Sequence, residues 1–186
     1  MIGGIRVPED ERFYKFYQMQ IDLGSINLIE ARKEPHLMIR SCKRDELREL
    51  AKVFNKVFSD TTDPYPSIGE DDLLSLPTER ILIAELDGKI VGFLMCGIRT
   101  IENEKVGVIG YIGVLGEYRR KGIATSLAVE AGRYFLENRL KRVIAEVYFL
   151  NKGSYRFMQG FGFQESAVIK VPIDETKRPL YKVNTS

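Results

Sequence analysis

Tyr111-Ile-Gly-Val-Leu-Gly-Glu-Tyr-Arg-Arg-Lys-Gly-Ile-Ala-Thr-Ser-Leu127 decides the reading of this chain. Residues 106–115 are apolar, β-branched and free of charge, the pattern of a strand buried on both faces. From Ile123 the period changes, and Ile123, Leu127, Ala128, Ala131 and Phe135 fall on one helical face. The turn between them lies near 116–121. Gly122 lets a ligand approach the backbone, Ala124 adds little bulk, and Arg119, Arg120 and Lys121 add positive charge. Free amides at a helix start, small residues and cations together describe an anion site, such as one for a cofactor phosphate. The Walker phosphate loop is excluded, because it needs Gly-Lys-Ser/Thr, and a G-x-G-x-x-G fingerprint is absent. The bland alternative is a solvated basic turn.

A second segment, Arg142-Val-Ile-Ala-Glu-Val-Tyr-Phe-Leu-Asn-Lys-Gly-Ser-Tyr-Arg-Phe-Met-Gln-Gly-Phe-Gly-Phe163, weighs against that alternative. Residues 143–149 read as another strand, with Glu146 the one acid among apolar residues. Asn151 is a helix N-cap candidate, and a short helix to about Gly160 follows. The two segments together resemble the GNAT superfamily of acetyl-coenzyme-A-dependent N-acetyltransferases. Arg119-Arg-Lys-Gly-Ile-Ala124 matches that family's Gln/Arg-x-x-Gly-x-Gly/Ala loop. Asn151, Ser154, Phe157, Gly162 and Phe163 match its second pattern. The resemblance covers about residues 36–186.

Composition sets the outer bounds. The chain has 186 residues, 44% hydrophobic and 29% charged, with a net charge of +2. That is long enough for one domain with a sizeable core. The charge gives no global drive toward nucleic acid. No apolar run reaches membrane-spanning length, and the N-terminus lacks a signal-peptide core, so a cytoplasmic protein without membrane attachment is expected. Cys42 and Cys96 lack metal-ligand spacing and read as buried thiols. His36 is the only histidine, so a His-based metal site or Ser-His-Asp triad is not expected, and no metal is called for.

The element pattern starts with an N-terminal extension, residues 1–35, expected to pack on the domain formed by 36–186. In the extension, Pro8, Glu9 and Asp10 read as a helix start with Phe13, Phe16 and Tyr17 on one side, and 25–32 as a short strand. Strands follow at 37–41, 81–86, 89–98 and 106–115, with helices at 44–58, near 70–76 and at 123–138. Asp87-Gly88 marks a hairpin turn. The strand at 143–149 and the short helix lead to strands near 164–171 and 180–184. This is an α/β chain in the order of the GNAT fold. The resemblance implies a mixed, mostly antiparallel sheet of about seven strands with four helices, splayed between the fourth and fifth strands.

The resemblance also implies a chemistry. Pantetheine would pair with the backbone of Ile112, Gly113 and Val114. The diphosphate would rest on amides from Arg120 to Thr125, with Thr125 or Ser126 adding a hydroxyl, and Asn151 would contact the pantetheine. Transfer to a primary amine in a ternary complex needs a base, and Glu146 is the candidate. It aligns with the glutamate of ribosomal-protein alanine N-acetyltransferases. Glu102 and Glu104 are the backups. The family's usual tyrosine acid falls at Met158, and a thioether donates no proton. Tyr155, one turn earlier, is the candidate acid, with Tyr148 or water as substitutes. Gly116 is a smaller departure, where many members have proline. Asp60, Asp63 and Tyr65 are placed to attract a cationic amine. The acceptor is a protein N-terminus, a lysine or a small amine, and a homodimer is compatible with the strand edges. The rival reading is a non-catalytic acyl-coenzyme-A-binding sensor or interaction module.

Overall fold

Asp87 and Gly88 take φ of 50° and 75°. Two successive left-handed residues fit the right-handed twist of a two-residue hairpin, and the hairpin they close anchors the sheet. In the computed structural model, residues 13–25, 34–74 and 81–172 are described. In chain order the elements are β1 (Phe13–Asp22), β2 (Leu37–Ser41), α1 (Leu47–Ser59), α2 (Glu70–Leu74), β3 (Ile81–Leu86), β4 (Lys89–Ile101), β5 (Glu104–Val114), α3 (Ile123–Glu137), β6 (Arg142–Tyr148), α4 (Lys152–Gly160) and β7 (Gln164–Pro172).

The strands form one seven-stranded sheet in the order β2-β3-β4-β5-β6-β1-β7. Every neighbouring pair is antiparallel except β5–β6. The expected fold class, a mixed and mostly antiparallel sheet with four helices, is what the structure shows.

One of the described strands is unexpected. The helix start expected at Pro8, Glu9 and Asp10 lies outside the described residues, and the segment with Phe13, Phe16 and Tyr17, expected on one side of that helix, is instead a strand, Phe13–Asp22, inserted between β6 and β7. The helical spacing of Phe13, Phe16 and Tyr17 misleads because the strand is covered on different faces along its length. Phe16 faces the side of Tyr148, its partner in register, whereas Met19 and Ile21 face the other side and join the main core. The strand expected at 180–184, and residues 26–32 of the one expected at 25–32, lie outside the described residues.

Two layers of helix cover the sheet. On one face α1 presents Leu47, Leu50, Phe54 and Val57 to Ile81, Ile83, Phe93 and Tyr111. On the other, α3 and α4 present Ile123, Leu127, Phe135 and Met158 to Leu94, Ile109, Val143 and Val147. Burial of each large side chain contributes roughly 1.5–3 kcal/mol.

One irregularity shapes the centre. Met95 pairs with Tyr111 and Cys96 with Ile109, so Gly110 is an extra residue in β5. Such a bulge bends its strand. β5 pairs with β6 only from Gly107 to Ile109, opposite Val143 to Ala145, and the two strands part beyond that point. α1 crosses close over the freed end. A Cβ on Gly113 would lie 2.6 Å from Val57 Cγ1, so only glycine fits there.

Candidate active site

The gap between β5 and β6 opens into a cleft of about 440 Å³. Its walls are the end of β5, the start of α3, the start of α4 and the loop after α1. Ile112, Gly113, Val114, Arg119, Arg120, Gly122, Ile123, Ala124, Thr125 and Asn151 all line it. Beyond Ile109, the edge of β5 that faces β6 has no strand pairing among the described residues. Unpaired strand edges are templates for an extended partner.

The basic end of the cleft is built by local geometry. Gly122 precedes α3 with φ of 79°. The first helical bond runs from the Ser126 amide to the Gly122 carbonyl at 2.9 Å. The amides before Ser126 therefore lack helical acceptors and are available to an anion. Arg120 also takes a left-handed φ, 66°. Arg119 donates from Nε to the Val114 carbonyl at 3.0 Å, which ties the loop to the end of β5. Lys121 does not reach the cleft wall. Its Nζ lies 3.8 Å from Glu34 and 5.8 Å from the centre of the Tyr118 ring.

At the other end Asn151 makes two bonds at once. Its Oδ1 accepts the Ser154 amide at 2.9 Å, capping α4, and its Nδ2 donates to Asp63 Oδ2 at 2.7 Å. Asp63 belongs to the loop between α1 and α2, which Asn55 holds by two side-chain bonds of 2.8 Å to the backbone of Ile68. Burial pushes the Asp63 carboxyl up from its ordinary value, and hydrogen bonds from Thr61 and Asn151 oppose this in part. Asp63 and Asn151 also line a narrower pocket of about 30 Å³, together with Glu146, Tyr148, Tyr65 and Met158. Two carboxyl groups, Asp63 and Glu146, thus line the same small pocket.

The expected fold, with its splayed centre, is now joined by comparison with known proteins. Residues 44–163 match the model of the Acetyltransferase (GNAT) family. The chain belongs to the GNAT acetyltransferase family. It is 30% identical over 137 residues to an uncharacterised N-acetyltransferase of Archaeoglobus fulgidus, covering 68% of this chain and 90% of that protein. It is 27% identical over 150 residues to an N-alpha-acetyltransferase of Sulfurisphaera tokodaii, covering 76% and 88%. The crystal structure of a GCN5-related N-acetyltransferase from Sphaerobacter thermophilus has a TM-score of 0.67 at 19% identity. That likeness covers 89% of this chain and 54% of the other, so the chain spans about half its length. An aminoglycoside N-acetyltransferase solved with CoA has a TM-score of 0.60 at 21% identity, covering 73% and 92%. Family membership makes this chain an acyltransferase.

Within this GNAT site the candidate catalytic residues separate. Glu146 and Tyr148 are two apart on β6, so both side chains point to the α1 side of the sheet and into the narrow pocket. Tyr148 is held above the ordinary tyrosine range by burial, with Tyr14 and Asp63 adding to the effect. Tyr155 is not brought to either cavity. Its ring packs on Tyr17 at 5.0 Å, and its hydroxyl donates to Glu165 and accepts from Gln159. The Glu165 bond is the main reason its phenol is raised. Met158 is 4% exposed at the floor of the pocket. Glu104 pairs with Arg142 at 3.1 Å, and neither it nor Glu102 lines the cavities. Asp60 reaches back to Lys56 at 3.5 Å.

Sequence reasoning did not place Tyr14, whose ring stands edge-on to Tyr148 at 6.0 Å. It also missed Phe58, which lines both cavities. The signal for Tyr14 lay in its β-favouring neighbours, but the helix-like spacing concealed it.

Proposed function

We propose that this protein transfers an acetyl group from acetyl-CoA to a primary amine, by direct attack in a ternary complex. The observation that carries this reading is a pair of adjoining cavities that share Phe58, Asp63, Ile112, Asn151 and Ser154. The larger borders an unpaired β5 edge and the amide-rich start of α3, and the smaller is lined by two carboxyl groups, Asp63 and Glu146.

The residues present fit the cosubstrate. The backbone of Ile112 to Val114 offers strand-like hydrogen bonds to an extended amide chain, and the start of α3 offers amides and the Arg119 and Arg120 charges to phosphates. When bound, acetyl-CoA supplies the thioester carbonyl that an amine attacks.

The chain's own residues do the proton work. Glu146 takes the proton from the acceptor's ammonium, so that a neutral amine attacks. Tyr148 shares its strand face and is protonated at neutral pH, as an ordinary phenol already is, and burial only moves it further up. It therefore holds a proton for the leaving sulfur, a task Met158 cannot perform.

The acceptor we favour is a protein N-terminal α-amine. The Sulfurisphaera relative carries the name of an N-alpha-acetyltransferase, and the segment around Glu146 resembles that of ribosomal-protein alanine N-acetyltransferases. The test is CoA release with free-amine peptides, lysine peptides and small amines, using wild type and Glu146→Gln. Loss of a general base lowers turnover about 10²- to 10⁴-fold, with CoA affinity unchanged. CoA binding without turnover on any amine would replace the transferase by a non-catalytic binding module.

A further inference from the structure

Tyr14 stands in β1, the strand inserted beside β6. Pairing across β1 and β6 puts Gln18 opposite Glu146 and Phe16 opposite Tyr148. Paired residues share a face of the sheet, so Tyr14, Phe16 and Gln18 emerge on the side that holds Glu146 and Tyr148. Tyr148 is the hinge of the arrangement. Its ring meets Tyr14 edge-on at 6.0 Å and Phe16 at 5.5 Å, while its own side chain lines the pocket with Glu146 and Asp63.

Phe16 is 1% exposed and serves as the base of this cluster. Tyr14 is half-buried and lines neither cavity itself; it reaches the pocket through its ring contact with Tyr148. Gln18 is tied by the Ser166 hydroxyl at 3.3 Å, so it is fixed against the edge of β7. Asp63 faces the cluster from the α1–α2 loop. No cationic side chain among the described residues forms an ion pair with it. A half-buried carboxylate without a cation is costly, and a bound ammonium would offset that cost. Aromatic rings beside carboxylates add a second attraction for cations.

We infer that the N-terminal strand is part of the acceptor site: Tyr148 shares the narrow pocket with Asp63 and Glu146, Tyr14 backs Tyr148 from outside that pocket, and together these groups select a cationic primary amine. The inference rests on the transferase reading for the identity of the pocket, but it concerns binding rather than turnover. Asp63 receives the ammonium. Tyr14 acts through the Tyr148 ring that it backs. The extension is thereby a specificity element.

The experiment titrates CoA-saturated full-length protein by calorimetry. The probes are tetrapeptides with free Ala, Ser or Met N-termini, a lysine peptide with a blocked N-terminus, spermidine, and the N-acetylated forms of the tetrapeptides. Wild type binds at least one free amine and none of the acetylated peptides. Tyr14→Phe keeps this affinity, because the ring remains. Tyr14→Leu, which retains apolar bulk for folding, weakens it about five- to tenfold, and Asp63→Asn weakens it at least as much. CoA affinity is unchanged in the two Tyr14 variants. Equal amine binding by Tyr14→Leu and wild type would overturn the inference, as would a wild type that binds none of the free amines. A wild type that binds amines through Tyr14 yet releases no CoA leaves the inference standing and removes the transferase proposal instead.

Discussion

Asn151 joins two parts of the site through one side chain: its oxygen caps α4 at Ser154 while its amide holds Asp63 at 2.7 Å. Because burial raises the Asp63 carboxyl, the folded state binds its proton more tightly than the unfolded chain does. Stability from this group therefore falls as pH rises from the unfolded value through the folded one. At neutral pH the charge is a net cost. Asp63→Asn should raise the melting temperature at pH 7 by a few degrees, about 1 kcal/mol, and the gain should vanish near pH 3. A variant that melts lower at pH 7 would show that the carboxylate is stabilising.

The same bridge gives a prediction at Asn151 itself. Asn151→Ala removes a helix cap, which costs about 1 kcal/mol, and leaves Asp63 without its amide donor. The expected loss in urea unfolding exceeds that of a cap alone. Combining it with Asp63→Asn should recover part of the difference, because the two residues share one bond.

Gly113 sets how near α1 approaches β5. In Gly113→Ala the new methyl would meet Val57 Cγ1 at 2.6 Å and Phe93 Cζ at 3.0 Å. Overpacking of this kind costs about 1–3 kcal/mol. Urea unfolding of Gly113→Ala should show that loss, and Val57→Ala in the same chain should restore part of it. If the double variant loses the sum of the two single losses, the contact is not the cause.

Much of this was legible before any coordinates. The uncharged run ending at Val114, the basic turn and the change of period at Ile123 located one end of the cleft, because strand, turn and helix each follow from local sequence. Asn151 was legible as a cap for the same reason. Two things were not. β1 hides because its buried positions switch faces between Phe16 and Met19, which mimics a helix spacing. The rotation of Tyr155 toward Tyr17 and Glu165, away from the pocket, depends on partners far along the chain that spacing does not reveal.

Acid sensitivity should come from the other end of the sheet. Arg40 holds Glu46 with two bonds, Nη1 to Oε2 at 2.8 Å and Nη2 to Oε1 at 2.5 Å, and also binds Glu85. The bond from Arg40 lowers the Glu46 carboxyl from 4.5 to about 2. A depressed carboxylate contributes stability above its unfolded value and loses it as pH falls toward the folded one. Between pH 4.5 and 2 the protein should lose about 1–2 kcal/mol from this group, allowing for solvent at the partly exposed pair. Glu46→Gln should flatten that part of the stability–pH curve. An unchanged slope would assign the acid transition elsewhere.

The two tyrosines give the sharpest separation. Tyr148 lines the pocket beside Glu146, whereas the Tyr155 hydroxyl is engaged with Glu165. If Tyr148 holds the proton for the leaving sulfur, Tyr148→Phe lowers kcat about tenfold or more while the ring still packs on Phe16 and Tyr14. The fall should concern kcat rather than CoA affinity, because the hydroxyl would act on the leaving group and the proposed phosphate site lies at the start of α3, where Tyr148 does not reach. Tyr155→Phe instead removes a surface hydrogen bond to β7, and its effect belongs in the melting temperature. A reversal of the two outcomes would mean that α4 turns during turnover to bring Tyr155 in. Equal and small effects in both would leave water as the acid, with Glu146 then carrying the whole dependence of kcat on side-chain ionisation.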